Sequence, residues 1–506
     1  MFTDEKDITN PDHVHSIVKA KMLSVYTDGS FLPQHNVTRG AFCKILQLFV
    51  VGDSYFASIL CFENIGKWKD ELTGYIFESP IAYFQKLLLR NSEFAKPWGE
   101  HLLNSSFEPT APILKETAMQ WLRFVCKSCY HVDIPDPLPI PALKEFENPD
   151  KKQYATREWV AEILYQSCSE IVHRLEERAA GNRSKFFELW ADCGDNAYDL
   201  FPPNLNILRQ QNACTADEYE MLLFETNDTP RTDYKSRIPV MYKLLCIAKP
   251  IWGQRIYSGT KAYQYTSLQA LRGMLESAKQ RISNQLQFQV HMSNAEFLND
   301  PDEGYILLNN FQLDEKVPQP EANEIYPRRE YITCLSTEEE EKLPMWVQYG
   351  DGGKGCRIEF LLDSDVNFYE VSYIERNNLS QDISDIIKSM EKVVNTYYEQ
   401  DRDQTSPTVS NWAKLLLKKY GYIFKDKYYE QEKEIRSIVT ALPQQVKLWD
   451  KPRNGEIFPR SYVILKKPLQ VLSVTLGPKC PNPEQIAVAL QNKGINHIYR
   501  SKIHFQ

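Results

Sequence analysis

The sequence has no long hydrophobic run. Its most compact apolar stretch, Ile45 to Val51, is far shorter than the roughly 18–20 residues that a helix needs to cross a bilayer. The first residues, Met1 to Asp7, are polar and acidic, which is not the pattern of a secretory signal. Together these observations predict a cytoplasmic protein without membrane contact.

Two common phosphate-binding patterns are also missing. The 506 residues contain neither a GxxxxGK[ST] loop nor a GxGxxG fingerprint. There are only nine histidines, and none has the spacing of a metal-ligand pair. The sequence therefore does not support a nucleotide site of either kind. It also does not support a histidine-based metal enzyme or a Ser-His-Asp hydrolase.

The cysteines do not suggest a disulfide framework. There are 11 of them, an odd number scattered along the whole chain, and most lie among apolar residues. Cys126 and Cys129 form a CxxC with His131 nearby, but no second pair is spaced to complete a zinc site. We interpret them as reduced core thiols and predict no metal site.

Length and charge restrict the class further. At roughly 100–200 residues per domain, the chain has room for two to four domains. Its net charge of −8 argues against a broad basic surface for nucleic acid, although a local groove is compatible with it.

Residues 1–250 have mostly helical patterns. Apolar residues recur at intervals of three and four between Ala111 and Leu200, interrupted by the proline-rich stretch from Ile134 to Pro141. This region therefore reads as a helical sensor, regulatory or scaffold part, with room for two subdomains split near 105–150. Thr215 and Glu218 have the spacing of a helix capping box. No motif recurs at a fixed period.

Residues 257–506 are dominated by strand-like segments with helices inserted in no strict alternation, which predicts an α+β domain. Tyr263–Tyr265 and Met345–Tyr349 are among the predicted strands. The glycine-rich segment from Gly350 to Gly353 reads as a hairpin loop between two strands, because glycine tolerates positive φ.

A row of charged residues precedes an apolar strand near the end of this region. If the strand includes them, Glu430, Glu432, Glu434 and Arg436 lie on one face, because alternate side chains share a face. Neighbouring carboxylates raise one another's pKa, whereas an arginine lowers it. Such a row can bind a sugar hydroxyl and face a developing cation. The alternative is a polar sheet face or a helix end held by ion pairs.

Several short motifs, in order, resemble a widespread bacterial domain of unassigned function that is often found beside phage-defence genes. The resemblance covers about half of the chain. Its elements are Tyr263-Gln264-Tyr265-Thr266-Ser267, Asn299-Asp300-Pro301-Asp302-Glu303, Cys334-Leu335-Ser336, Trp346-Val347-Gln348-Tyr349, Gly352-Gly353-Lys354-Gly355, Glu432-Lys433-Glu434-Ile435-Arg436, Gly477-Pro478 and Ser501.

That domain is in turn similar to the ADP-ribosyltransferase superfamily, and the similarity implies a site for NAD as substrate. Glu434 would bind the ribose 2′-hydroxyl and stabilise positive charge at the anomeric carbon, and Glu432 would align the nucleophile, as carboxylates do in glycoside cleavage. Gln264 departs from the His or basic residue of some relatives. The cofactor-binding residues implied are Tyr263, Tyr265, Thr266, Ser267, Ser336, Trp346, Tyr349 and Arg436.

The resemblance implies an NAD-dependent ADP-ribosyltransferase that acts as a toxin or effector in anti-phage defence on a macromolecular acceptor, either protein or nucleic acid. The helical half would then be a sensor and could support an oligomer. Two alternatives stay open: a non-catalytic nucleotide- or partner-binding regulatory protein, and a Mg²⁺-dependent nuclease in which Glu303, Glu432 and Glu434 converge.

Overall fold

The computed structural model describes residues 2–52, 78–91, 107–135, 138, 153–194, 203–228, 234–277, 286–298, 300, 302–318, 330–375, 378–400, 406–441, 445–449 and 457–504. The chain divides into two compact units, Met1–Lys243 and Leu244–Gln506.

The first unit is built from helices. They are α1 (Pro11–Lys19), α2 (Arg39–Val51), α3 (Glu78–Arg90), α4 (Lys115–Tyr130), α5 (Arg157–Ala179), α6 (Arg183–Ala191), α7 (Asn206–Gln210), α8 (Ala216–Asp228) and α9 (Tyr234–Ala248), the last of which begins in this unit.

Local sequence explains where several of these helices begin. The hydroxyl oxygens of Thr38 and Thr156 accept hydrogen bonds from the third residue after each of them, which caps α2 and α5. The predicted capping box is confirmed at α8, where the Thr215 amide donates to Glu218 Oε2 at 2.7 Å and the Glu218 amide donates to Thr215 Oγ1 at 3.3 Å. Buried Cys126 and Cys129 lie on α4.

Three helix starts meet in a closed ring of backbone hydrogen bonds. The amide of Val37 donates to the carbonyl of Ala155 at 2.8 Å, Ala155 donates to Ile113 at 2.9 Å, and Ile113 donates to Val37 at 2.9 Å. All three side chains are buried. The segments that lead into α2, α4 and α5 are therefore related by approximate threefold symmetry, and we call this arrangement the N-terminal ring.

A second set of backbone hydrogen bonds, with donors two residues further on, links the same three segments in the opposite direction. The amides of Arg39, Lys115 and Arg157 donate to the carbonyls of Ala111, Gln153 and His35, respectively. No fixed period was expected from the sequence, and the segments are indeed unevenly spaced. The threefold arrangement becomes visible only when the three segments are folded against one another.

The second unit combines helices with strands. Its helices are α10 (Pro250–Gly253), α11 (Leu268–Ser277), α12 (Leu343–Gln348), α13 (Gln381–Gln400), α14 (Thr408–Gly421) and α15 (Pro483–Asn492). Its strands are β1 (Lys261–Thr266), β2 (Gln287–Phe288), β3 (His291–Asn294), β4 (Glu330–Ser336), β5 (Cys356–Leu361), β6 (Tyr369–Glu370), β7 (Ser372–Ile374), β8 (Phe424–Asp426), β9 (Glu434–Thr440), β10 (Lys447–Leu448), β11 (Ser461–Ile464), β12 (Leu469–Leu476) and β13 (Ile498–Arg500).

The strands form a mostly antiparallel sheet in the order β10-β11-β3-β4-β1-β5-β12-β13, with β9 also paired to β4. The short strands β7 and β8 form a separate parallel pair. Side chains such as Phe288, Met292, Ile358, Phe360 and Val474 are buried in the hydrophobic core of this unit. A sheet of this kind together with helices confirms the α+β class.

The sheet opens beside β4. One edge of β4 pairs with β9 along its whole length. On the other edge Tyr331 and Ile332 pair with β3, whereas Ser336 pairs with Tyr263 of β1. Because β3 and β1 meet the same edge at opposite ends, a gap remains between them. We call this gap the fork.

Close backbone packing fixes one end of the fork. A Cβ atom at Gly355, just before β5, would lie 2.1 Å from the carbonyl oxygen of Thr266 at the end of β1. Only glycine fits there. The nearby Asp351, Gly352 and Gly353 all have positive φ, so this loop adopts the conformation that its composition favours.

One local prediction was wrong, and one open choice is now decided. Met345–Tyr349 was predicted as a strand, but α12 covers most of it, because Pro344 suits the first turn of a helix. The glycine-rich loop therefore follows a helix instead of joining two strands. For the charged row, a strand face and a helix end were both open, and the structure places Glu430 and Glu432 in a 3-10 helix, since Lys433 has φ of 43° and β9 begins only at Glu434.

Candidate functional site

The fork contains a cavity of about 250 Å³. Tyr263, Gln264 and Tyr265 of β1 line one side, and His291 and Ser293 of β3 line the other. The unpaired edge of β4 forms the base, and charged side chains from β8, β9 and the turn near residue 303 complete the lining. The cavity is thus a direct consequence of how the sheet divides.

A buried guanidinium organises the charged wall. Arg436 Nε donates to Glu434 Oε1 at 2.9 Å, and its Nη2 atom donates to Glu434 Oε2 at 2.8 Å. The same Nη2 atom lies 2.7 Å from Glu303 Oε1, and Nη1 donates to the Tyr422 carbonyl at 2.6 Å. Forked pairs of this kind are among the stronger hydrogen bonds in proteins and fix the orientation of both partners.

A lysine from β8 joins the same carboxylates. Lys425 Nζ lies 2.7 Å from Glu432 Oε2, 3.3 Å from Glu303 Oε1 and 3.4 Å from Glu434 Oε2. All of these side chains are almost fully buried. We call Glu303, Lys425, Glu432, Glu434 and Arg436 the charge cluster; it contains three carboxylates and two cations.

Protonation within the charge cluster follows from these contacts. Burial alone would raise the pKa of Glu434, but the charges of Arg436 and Lys425 and the hydrogen bonds outweigh it and hold that pKa at about 2. Burial raises the pKa of Glu303 despite the same two cations. Although burial opposes the charged form of Lys425, the neighbouring carboxylates raise its pKa well above the ordinary value.

Two hydroxyl groups connect the cluster to the rest of the fork. Tyr349 OH donates to Glu432 Oε1 at 2.7 Å, and Ser336 Oγ donates to the Glu432 carbonyl at 2.7 Å. Ser336 is also the residue on β4 that pairs directly with Glu434 on β9. The serine, the tyrosine and both glutamates therefore lie around one position although they come from distant parts of the sequence.

Most of the site residues expected from the sequence line this cavity. They are Tyr263, Tyr265, Ser336, Tyr349, Glu432, Glu434 and Arg436.

Three expected cofactor-binding residues do not line it. Thr266 pairs with Cys356 at the end of β1, and Ser267 caps α11 by accepting a hydrogen bond from the Ala270 amide at 3.1 Å. Trp346 is fully buried behind Tyr265, with their ring centroids 4.9 Å apart at 86°, and its indole donates to Glu341. Trp346 thus supports the position of Tyr265 from behind.

Sequence reasoning missed one residue of the charged wall, Lys425, and one residue that packs against a lining ring, Arg357. Lys425 lines the cavity from a three-residue strand without a motif, and Arg357 lies behind the wall, across the Tyr263 ring, with its guanidinium carbon 3.8 Å from the ring centroid. The available signal was that Lys425 directly follows the apolar run Tyr422 to Phe424, because a lysine is rarely buried without a partner.

The convergence that a nuclease would need is partly present. Glu303, Glu432 and Glu434 do approach one another, but Lys425 and Arg436 lie between them as counter-charges. In the part of the chain that the structure describes, no group of three or more His, Cys, Asp or Glu side chains could hold a metal ion.

Comparison with known proteins gives one match. Residues 2–43 match the family described as the S-layer homology domain. No curated protein and no solved structure matches the chain. Within the described ranges, no helix has both the length and the apolar character needed to cross a membrane.

This match corrects the interpretation from the sequence. The S-layer homology domain points to a protein of the cell surface or envelope, so the predicted cytoplasmic location is wrong, and so is the prediction of a cytoplasmic ADP-ribosylating toxin in phage defence. The matched segment covers α1, the loop after it and the first part of α2. It therefore includes Val37, one of the three residues of the N-terminal ring. Residues 2–43 of this chain are similar to the S-layer homology domain.

Proposed function

We propose that this chain is a surface-associated protein that binds a small ligand, NAD or a similar dinucleotide, in the fork of its second unit. The observation that carries the binding part is the convergence of Tyr263, Ser336, Tyr349, Glu432 and Glu434 on one cavity. Concave sites with a few polar groups among aromatic and apolar ones are the usual form of small-ligand pockets.

The choice of NAD rests on the resemblance stated above. In the ADP-ribosyltransferase superfamily three strands supply an aromatic residue, a serine or tyrosine, and a glutamate. Here β1, β4 and β9 supply Tyr265, Ser336 and Glu434 in the same fashion, with β4 paired to both of the others. This supports an ADP-ribosyltransferase-like sheet and a related bacterial domain. We propose ligand binding only and no toxin activity.

The proposed surface location rests on the match of residues 2–43 to the S-layer homology domain. The N-terminal ring relates two further segments of the first unit to the matched one. The matched segment leads into α2 through Val37, and the segments before α4 and α5 enter the same ring through Ile113 and Ala155. We therefore propose that all three segments are copies of one module and that the first unit as a whole attaches the chain to the cell surface.

Labelling of intact cells tests the location. Cells that produce the chain are treated with a membrane-impermeant amine-reactive biotin reagent, and the labelled fraction is compared before and after lysis. Exposed lysines such as Lys185 and Lys261 make the chain reactive wherever the reagent reaches it. The proposal expects labelling of intact cells. Labelling only after lysis would contradict it, and a known cytoplasmic protein of the same cells serves as the control.

Calorimetric titration with NAD⁺ tests the ligand. Ser293 is exposed on β3 and lines the cavity, so Ser293→Trp fills the fork without disturbing the core. Val488→Trp is the matched control, because Val488 is 57% exposed on α15 and does not line the cavity. The proposal expects one site in the wild type and the control and none in Ser293→Trp. Equal binding by all three proteins would place the ligand elsewhere.

A further inference from the structure

One carboxylate, that of Glu341, joins two distant segments of the second unit. Its Oε2 atom accepts hydrogen bonds from the Trp346 indole at 3.0 Å and from the Ser501 hydroxyl, and its Oε1 atom accepts one from the Lys502 amide at 3.2 Å. Glu341 lies just before α12, whereas Ser501 follows β13. The carboxylate therefore ties the residues after β13, which we call the 501–503 segment, to the start of α12.

The 501–503 segment also reaches the aromatic side of the fork. Ile503 packs against the small hydrophobic cluster that contains Tyr265 and Trp346, and Tyr349 packs against the same cluster. The Ile503 amide donates to Ser501 Oγ at 3.2 Å, so the serine hydroxyl also fixes the backbone that carries Ile503. The segment is thus held at both of its ends.

Trp346 supports both tyrosines that line the cavity beside it. Its ring lies edge-on to Tyr265, with the ring centroids 4.9 Å apart. A Cβ atom at Gly350 would lie 2.6 Å from Trp346 Cε3, so the backbone that follows Tyr349 rests directly on the indole. Tyr349 in turn donates to Glu432 of the charge cluster. A displacement of Trp346 would therefore move two lining rings at once.

The position of Trp346 depends on its one polar atom. The side chain is fully buried, and a buried indole N–H needs an acceptor, because an unsatisfied buried donor is costly. Glu341 supplies that acceptor, and its other contacts come from the 501–503 segment. Supporting groups of this kind decide how precisely the side chains that touch a ligand are held.

We propose that Glu341 is a positioning residue for the fork. Together with the 501–503 segment it keeps Trp346 in place, and Trp346 in turn fixes Tyr265 and Tyr349 for the ligand. The effect on NAD⁺ affinity rests on the proposed function. The effect on the two tyrosines does not, because it follows from contacts within the chain itself.

Hydrogen–deuterium exchange of the full chain without ligand tests these internal contacts. The amides of Tyr349 and Gly350 donate to the Met345 carbonyl at 2.9 and 3.1 Å, so peptides over 345–350 report how firmly the end of α12 is held. Ser501→Ala should speed exchange in these peptides although it lies in a distant part of the sequence. Lys502→Ala is the matched control, because Lys502 contributes its backbone amide to the carboxylate and its side chain is exposed. Unchanged exchange over 345–350 in Ser501→Ala would overturn the inference.

Calorimetric titration with NAD⁺ tests the consequence for binding. Glu341→Ala should raise the Kd by about fivefold, the equivalent of one hydrogen bond. Adding Ser501→Ala to it should raise the Kd little further, because both residues act through the same carboxylate. Glu341→Gln keeps an acceptor oxygen for the indole and should recover most of the affinity. Glu340→Ala is the matched control, because Glu340 is the neighbouring acid and is 83% exposed.

The possible results separate the positioning role from the proposed function. If the wild type does not bind NAD⁺, the proposed function fails, and exchange over 345–350 still decides whether Glu341 and the 501–503 segment hold α12. If the wild type binds NAD⁺ and folded Glu341→Ala binds it equally well, the positioning role is overturned and the proposed function stands.

Discussion

Arg436 and Glu434, two residues apart on β9, hold each other through two hydrogen bonds of 2.9 and 2.8 Å while both are buried. Alternate residues on a strand share a face, so the backbone itself directs the pair toward the fork. Glu303 and Lys425 then attach to the same pair from other parts of the unit. The pair is therefore the centre around which the candidate site is built.

Replacing Arg436 by lysine should strongly destabilise the second unit. A single ammonium cannot reproduce the forked contact with Glu434 together with the bond to Glu303, so buried carboxylate oxygens are left unsatisfied. Breaking a buried pair costs about 3–5 kcal/mol. Chemical denaturation measures the change.

The control for that experiment is Lys433→Ala, next to the cluster in sequence. Lys433 is half exposed and pairs with the exposed Glu430 at 3.4 Å, so its loss should change the free energy of unfolding by less than about 1 kcal/mol. Similar losses in both variants would mean that the buried pair has no special role in stability.

Acid stability should depend on Glu434. Its pKa is about 2 in the folded chain against an ordinary value of 4.5, so it stabilises the fold fully above pH 4.5 and loses that contribution as the pH falls toward 2. The shift corresponds to about 3 kcal/mol. Glu303 has a raised pKa and contributes with the opposite sign, which is why the comparison must isolate Glu434.

Glu434→Gln provides that comparison. The variant should be less stable than the wild type at neutral pH, and the difference should shrink as the pH is lowered from 4.5 to 2. Urea unfolding at several pH values gives the two curves. A difference that stays constant over this range would show that Glu434 does not keep its charge through the buried contacts.

The three helix starts of the N-terminal ring should respond to capping in a regular way. Thr38→Ala and Thr156→Ala each remove a side-chain cap and should cost about 1 kcal/mol. Leu114 occupies the same position before α4 without a side-chain cap, so Leu114→Thr should add stability of a few tenths to about 1 kcal/mol. Thermal unfolding of the three variants checks this, and a loss of stability in Leu114→Thr would argue against equivalent helix starts.

Tyr349→Phe should weaken NAD⁺ binding while the chain stays folded. The change removes the hydrogen bond to Glu432 and leaves one carboxylate oxygen of the charge cluster without that donor. A loss of about 1 kcal/mol corresponds to roughly a fivefold higher Kd. Tyr428→Phe is the control, because Tyr428 is 91% exposed. Equal NAD⁺ affinity in both variants would show that Tyr349 does not contribute to binding.

Local features of the fold could be predicted from the sequence, because they depend on neighbouring residues. The capping box at Thr215 and Glu218 and the strand at Tyr263–Tyr265 belong to this class. The strand assigned to Met345–Tyr349 failed, because its apolar residues fit a short buried helix as well as a strand.

The fork and the N-terminal ring could not be predicted, because both arise from long-range pairing. Lys425 lies close to Glu432 and Glu434 in sequence, but its place depends on how β8 packs, and Glu303 arrives from more than a hundred residues away. Val37, Ile113 and Ala155 meet without sharing a recognisable motif or spacing. A single sequence does not show which residues that lie far apart along the chain come into contact in the fold.

Hydrogen–deuterium exchange with and without NAD⁺ shows whether the fork is the binding site. We expect slower exchange in peptides that cover Thr333 to Ser336 and β3, because a ligand in the fork covers the free edge of β4. Peptides that contain Val37, Ile113 and Ala155 should not change. If saturating NAD⁺ leaves exchange at the fork unaltered, the fork is not the binding site.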